Sequence, residues 1–459
     1  MLMRKLLSPR SIMYNDLMSK VIKQIKNALR PLIPREALNK YHYPEARLAQ
    51  FKHKNPSEKM VVIGVVGSKG KTTTANMIWS ALSADGTRVG QIGTANIRIA
   101  DHEELNRHHM TMPGAFILQD YLRRMVDAGC THVVLEVPSE GQTQFRHVGI
   151  NFDVLVFTNV TREIMAAHRG SMEVLHQHNK RVFVQMAKSK HKVIAGKRIP
   201  KMIIANADAQ DAPAYSGFKA DQKISYSINS NSDYKAIDIK PTNKGIDFKV
   251  NAHPYHLSIL GTINVINAAG AIATAFALGK DGDTIAKGLS ELSIIPGRME
   301  VIDEGQDFTV IVDYAHEQVS MQALMDGAAA MKPKSAKVIT LVGAEGGGRD
   351  VEKRPAIGAI AAKGSDYTII CNVDPYDDRP MQIIEDIAKG ATEAGAKLGK
   401  DLFCIEDRRE AIVKGLSLAK KGDVVLITGK GSEQSMVLGS KKIPWDDRTV
   451  VREELKKLK

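Results

Sequence analysis

The stretch GVVGSKGKTTTANMIW, residues 64–79, shows what kind of sheet this chain builds. An apolar, β-branched run ends in Gly67-Ser68-Lys69-Gly70, and Lys71-Thr72-Thr73-Thr74 then opens a helical pattern. A strand that passes through a glycine turn into a helix N-terminus aims several backbone N–H groups at one point, where a phosphate fits. The strict P-loop spacing is not met, because Val65 stands where its first glycine belongs. What remains still predicts a nucleoside triphosphate site. Residues Gly67, Ser68, Lys69, Gly70, Lys71, Thr72 and Thr73 form the cradle. Lys71 reaches the outer phosphates, and the Thr72 hydroxyl suits Mg²⁺.

Outward from that turn, β-rich runs alternate with helical patterns, which predicts an α/β fold around a mostly parallel sheet. MVVIGVVG (60–67), THVVLEV (131–137) and FDVLVFTN (152–159) read as buried strands, with helices near 71–84, 115–128 and 172–188. Glu136 closes the second strand. Ligands gather outside the carboxyl ends of parallel strands, so Glu136 is expected beside the phosphate turn as a metal ligand. Between about 219 and 260 the runs KISYSI, YKAIDIK, IDFKV and HLSIL predict an antiparallel subsheet, and 264–279 a helix. Pro296-Gly297 reads as a hinge. After it, FTVIVDYA, KVITLVGA, DYTIICNV and DVVLITG predict a second, Rossmann-like α/β body. The expected division is a basic helical extension (1–59), a central nucleotide-binding domain (60–297) and a C-terminal domain (298–459).

Composition narrows the function. Hydrophobic residues are 43% and charged residues 25% of the 459, a soluble globular mix. No apolar run reaches the roughly 18 residues of a membrane span. Three scattered cysteines, Cys130, Cys371 and Cys404, predict neither a disulfide framework nor a zinc ribbon, which fits a cytoplasmic protein. Residues 1–59 hold 13 Lys+Arg against 4 Asp+Glu, so most of the +13 net charge sits there. Without a nucleic-acid motif, that charge does not point to nucleic acid. The segment 11–33 has apolar residues at helical spacing between lysines, suiting either peripheral contact with a membrane surface or packing on the main body.

Ordered blocks along the chain resemble the Mur ligase family, closest to its MurE branch. They are GVVGSKGKTTT, LEVPSEGQTQFRHVGINFDVLVFTNVTRE, GTINVINAAGAIATAFALG, IPGRMEVIDEGQDFTVIVDYAH, KRPAIGAIAAKGSDYTII and DRREAIVKGLSLAKKGDVVLITGKGSE. The resemblance spans about 60–450. It implies an ATP- and Mg²⁺-dependent amide ligase that turns a muramoyl-peptide carboxylate into an acyl phosphate and joins an amino acid to it, for cell-wall peptidoglycan. By resemblance, Lys71, Glu136, Arg298, Asp313 and His316 are catalytic, and Asn267 contacts the adenine side. Thr111, Gln144 and Arg146 hold the muramoyl peptide. Arg349, Asp374, Pro375, Gly429 and Glu433 hold the incoming amino acid, and the enzyme is a monomer.

The chain also departs from the family. The phosphate turn comes early, leaving residues 1–59 where a uridine-binding domain is usual, so a lipid-linked or otherwise altered acceptor is an alternative. A second metal's carbamylated lysine falls at Asn179, with Lys180 next to it, and its histidine at Ile164; His168, His176 and His178 lie nearby in sequence. The serine pair after LEV is Pro138-Ser139, and the family's GKGHE reads GKGSE at Ser432. The arginine that grips diaminopimelate is Tyr376, followed by Asp377 and Asp378, which favours a basic amino acid such as lysine. A folate-type acceptor, or a nucleotide-binding protein without ligase activity, are the other readings.

Overall fold

The computed structural model describes residues 35–161, 168, 170–242, 245–348 and 351–458, with side chains from Tyr41 onward. The 11–33 segment, Ile164 and Arg349 lie outside the described residues.

Helix α1 (Arg35–Lys52) leads through a 3-10 turn (Pro56–Lys59) to β1 (Val61–Val66), whose six residues are all buried. After the phosphate turn come α2 (Lys71–Ser83), β2 (Val89–Ile92), β3 (Asn96–Ile99), β4 (His102–Leu105), α3 (Ala115–Asp127), β5 (His132–Val137), α4 (Ser139–Thr143) and β6 (Val154–Phe157). Then follow α5 (Met172–Asn179), α6 (Arg181–Lys188), the hairpin β7 (Val193–Ile194) and β8 (Lys197–Arg198), β9 (Met202–Asn206), α7 (Ala212–Ser216) and β10 (Gln222–Ser227). β11 (Tyr234–Thr242), β12 (Gly245–Val250), β13 (His253–Leu257), α8 (Asn264–Ala277) and α9 (Gly282–Glu291) complete the first body.

Its sheet runs β13-β12-β11-β10-β9-β6-β1-β5-β2-β3-β4. The seven strands from β11 to β2 are parallel, and both edges finish antiparallel. The edge β3–β4 has no strong signal in the sequence. At the other edge the reading of 219–260 needs correction. KISYSI, in β10, pairs parallel with β9 and β11, and antiparallel pairing begins only between β11 and β12. The reason is helical cover: a Cβ on Gly270 of α8 would sit 2.8 Å from the Tyr226 ring of β10, so this strand is sheet interior. The single helix expected over 172–188 is broken at Lys180 into α5 and α6.

Apolar residues fill both faces of the sheet. Met77, Ile78, Ala81 and Ile272 belong to the core on one side, and Leu118, Leu122, Val182 and Phe183 to the other. Below, the fully buried Asp153 takes the ammonium groups of Lys192 and Lys201 and the Val62 N–H, pinning the amino ends of β1 and β6. Their carboxyl ends therefore meet at one fixed edge, where the phosphate turn and Glu136 emerge.

The second body contains β14 (Glu300–Ile302), β15 (Thr309–Asp313), α10 (Gln318–Met331), β16 (Val338–Val342), α11 (Lys353–Gly364), β17 (Tyr367–Ile370), α12 (Pro380–Glu393) and β18 (Leu402–Cys404). It ends with α13 (Arg408–Leu418), β19 (Val424–Thr428), the hairpin β20 (Ser435–Leu438) and β21 (Lys441–Pro444), and α14 (Asp447–Lys457). Its sheet order is β14-β15-β19-β16-β17-β18, with only β14 antiparallel. At the join, Gly297 has φ 63°, and a Cβ there would lie 2.1 Å from the Ser432 nitrogen. Only glycine lets the connecting segment pass so close to the turn after β19.

Candidate active site

The turn between β1 and α2 is braced from β6. Asn159 accepts the Lys69 N–H at 3.0 Å and offers its carbonyl to the Ser68 N–H at 2.8 Å, while the Thr158 hydroxyl donates to the Lys69 carbonyl at 2.7 Å. Gly67 (φ 142°) has no room for a side chain, because a Cβ would meet Thr158 Oγ1 at 2.2 Å. Gly70 (φ 80°) is equally closed by Asn267 Oδ1 at 2.4 Å. Asn267 is thus packed on the phosphate turn, held by Thr74 and Asn264. The Lys71 ammonium arches over the loop, donating to the Gly67 and Ser68 carbonyls at 2.7 Å each. Thr73 is buried in the first turn of α2.

Thr72 and Glu136 come together from different elements. The Thr72 hydroxyl donates to Glu136 Oε2 at 2.8 Å, and the almost fully buried carboxylate also takes the Thr94 N–H at 2.7 Å and the Thr94 hydroxyl at 3.0 Å. A carboxylate and a hydroxyl on one point are hard oxygen donors, the set that suits Mg²⁺ beside a phosphate. The residues present therefore fit one such ion. Thr94 was not legible in the sequence, since it belongs to no motif. It also bonds Thr111 Oγ1 at 2.9 Å, joining the metal pair to the expected acceptor residue.

The second body adds cations to the same edge. Arg298 reaches Thr72 Oγ1 at 3.3 Å and lies over the Tyr314 ring at 4.4 Å. Asp313 accepts the Met299 and Ala315 N–H groups at 2.7 Å each, so it holds the peptide that aims Arg298. Burial pushes the Asp313 carboxyl above its usual range, with Arg298 opposing. His316 donates from Nδ1 to the Tyr314 carbonyl at 2.7 Å. Burial, with Lys353 and Lys69 nearby, holds its pKa down to about 4, so the ring is neutral at pH 7.

Asp374 and Glu433 also meet. The buried Lys430 ammonium lies 2.9 Å from Asp374 Oδ2 and 2.8 Å from Glu433 Oε2. Burial raises Asp374, but hydrogen bonds from His109 and Lys430 outweigh it and leave the carboxyl low; burial keeps Glu433 high. His109, Asp374 and Glu433 place ligand atoms within 4.8 Å of one another. Lys430 already supplies the cation between the two carboxylates, which speaks against a metal there. Gly429 (φ 103°) and the buried Pro375 adjoin Lys430 and Asp374 in the chain. Tyr314 donates to Glu433 at 3.2 Å, linking it to the Arg298 side. Lys430 sits in GKGSE and Tyr314 in DYAH; their motifs were visible, their roles were not.

Arg146 donates to the Met112 carbonyl and to Gln144 Oε1, so these two residues, expected at the acceptor, share one turn. Of the three histidines near Asn179, His168 and His178 face each other at 2.8 Å and Ser139 bonds His168 at 2.9 Å, whereas His176 bonds Tyr215. Asn179 is buried, and its Nδ2 has no hydrogen-bond partner among the described residues. Lys180 points over the Tyr215 ring, 5.8 Å from its centre. Asp378 is paired with Arg354 at 3.3 Å, which leaves Asp377 as the exposed acid.

Residues 65–275 match the Mur ligase middle domain, and 297–431 the glutamate ligase domain of Mur ligases. The chain belongs to the Mur ligase family. By that membership it is an ATP-dependent ligase. This Mur ligase is 34% identical over 415 residues to a Geobacillus kaustophilus protein named UDP-N-acetylmuramoyl-L-alanyl-D-glutamate--2,6-diaminopimelate ligase, covering 90% of the chain and 82% of the relative. It is 34% identical over 430 residues to a Treponema denticola UDP-N-acetylmuramyl-tripeptide synthetase, covering 89% and 79%. A solved structure of a UDP-N-acetylmuramoyl-L-alanyl-D-glutamate--2,6-diaminopimelate ligase superposes with TM-score 0.57 at 26% identity over 87% of this chain and 79% of that one. Mycobacterium tuberculosis folylpolyglutamate synthase, solved with ADP and AMPPCP, reaches TM-score 0.66 at 15% identity over 91% and 95%, a likeness of fold.

Proposed function

We propose that this Mur ligase adds an amino acid to the carboxylate of a muramoyl-dipeptide precursor, in the cytoplasm and as a monomer, using ATP and Mg²⁺. The parts are 60–297 for ATP and acceptor, 298–459 for the amino acid, and the basic extension 1–59. The observation that supports this most is Arg298 crossing from the second body to the Thr72–Glu136 pair at 3.3 Å.

A carboxylate resists attack because its charge repels the amine and oxide is a poor leaving group. Phosphorylation by the γ-phosphoryl group makes an acyl phosphate; the amine adds, a tetrahedral intermediate forms, and phosphate leaves. The chain's share is positioning and charge neutralisation. Lys71 and the N–H groups opening α2 hold the outer phosphates. Thr72 and Glu136 would hold Mg²⁺, which would supply positive charge to the transferring group. Arg298 balances the charge that builds between the two bodies, and neutral His316, its Nδ1–H committed to the Tyr314 carbonyl, offers Nε2 as an acceptor without adding charge. Arg146 with Gln144 and Thr111 holds the acceptor. Gly429, Asp374 and Glu433, with Arg349, hold the amino acid. Asp377 at the rim favours a basic side chain, and lysine is the proposed substrate.

Phosphate release from ATP should require both UDP-muramoyl-dipeptide and an amino acid, with lysine the best of a panel. ATP binding without turnover in any combination would leave a nucleotide-binding protein and overturn this function.

A further inference from the structure

The acceptor turn is strained and is held by helix α1. Phe145, between Gln144 and Arg146, has φ 52°, a conformation that is costly for a bulky aromatic residue. Such strain persists only where neighbours over-determine it, and it concentrates at binding sites. Three side chains border this ring, two of them from other elements. Arg181 at the start of α6 lies over it at 5.0 Å, and His147 stacks at 6.4 Å. The third grip comes from α1: Tyr43 meets Phe145 edge-on, with centroids 5.7 Å apart and planes at 86°.

On the same helix His42 Nδ1 and Glu45 Oε2 are 2.8 Å apart, and the charges of Glu140 and Glu45 oppose the lowering that burial imposes on the Arg146 guanidinium. Below them α1 is seated tightly. Ala46 and Ala49 pack with Ala115 and Val148, and a Cβ on Gly149 would lie 2.9 Å from Gln50 Cβ. Tyr43 nevertheless remains 49% exposed, so the aromatic pair borders open space beside Gln144 and Arg146.

We propose that helix α1 is part of the acceptor site: Tyr43, on a helix seated through Ala46, Ala49 and Gln50, holds the Gln144–Arg146 turn in the strained form that receives the anionic muramoyl peptide. Tyr43 is a positioning residue, acting through Phe145. The proposal rests on the acceptor assigned above, but its first test does not. In the unliganded full chain, Tyr43→Ala should speed amide hydrogen exchange across residues 141–150 and leave residues 64–75 unchanged; Tyr43→Phe should restore the slow exchange. In turnover assays Tyr43→Ala should raise KM for UDP-muramoyl-dipeptide about tenfold, with KM for ATP within about twofold of the original. Unchanged exchange in 141–150 overturns the proposal. So does equal loss of ATP and acceptor affinity, or faster exchange with an unchanged acceptor KM. If the unsubstituted enzyme turns over no muramoyl acceptor, the proposed function fails, while the exchange result still decides whether α1 sets this turn.

Discussion

Glu136 shows how much one side chain carries. Its carboxylate collects Thr72, Thr94 N–H and Thr94 Oγ1, and a Cβ on Gly93 would come within 2.2 Å of it. Glu136→Gln keeps the shape and removes the charge that an adjacent Mg²⁺ needs. Turnover should fall about 100-fold, and the Mg²⁺ concentration for half-maximal rate should rise about tenfold, as read by phosphate release across a metal titration. Thr94→Val should show a smaller loss, since it removes a hydrogen bond to Glu136 and the link to Thr111 while leaving both proposed ligands. An equal loss in the two variants would show that Glu136 acts as a structural acceptor rather than through charge.

At the scale of elements, the connecting segment 295–299 behaves as one piece with the turn after β19. Gly297 sits against Gly431 and Ser432, its N–H bonds Glu300 at 2.8 Å, and Asp313 holds Met299 in a left-handed conformation with φ 46°. Gly297→Ala adds a Cβ at a positive φ and 2.1 Å from backbone, so it should cost at least about 2 kcal/mol of stability and swing Arg298 off Thr72. Denaturant unfolding measures the first effect. The second appears as lost turnover with ATP binding retained, because the phosphate turn is braced independently through Thr158 and Asn159. Part of this level could be read in advance: β1, β5 and β6 in the first body and β15, β16, β17 and β19 in the second show as short apolar runs between helical patterns, whereas β2 and β9 did not stand out. The break at Lys180 and the parallel pairing of β10 could not be read, because both depend on what packs against the segment rather than on its own periodicity.

For the whole molecule, histidines held neutral by desolvation set a pH response, with His147 buried and His132 and His316 partly covered. Burial holds His132 and His316 down to about 4 and His147 to about 3. Below pH 6.5 the unfolded chain binds protons at these sites while the folded chain does not, so stability falls as pH drops from 6.5 toward 4. The urea midpoint should decline over that range, and His147→Gln should flatten part of the slope. No described helix is long and apolar enough to cross a membrane. The glycine-lysine turn, the triphosphate site it predicts and the apolar runs of the central strands were legible in the sequence alone, since each depends on neighbours a few residues apart; the expected ligase chemistry came from the resemblance of ordered blocks to the family. Which side chains meet was decided only by tertiary structure. Thr94 against Glu136, Arg298 against Thr72, Lys430 against Asp374 and Tyr43 against Phe145 join residues far apart in the chain, and no local pattern encodes such distances.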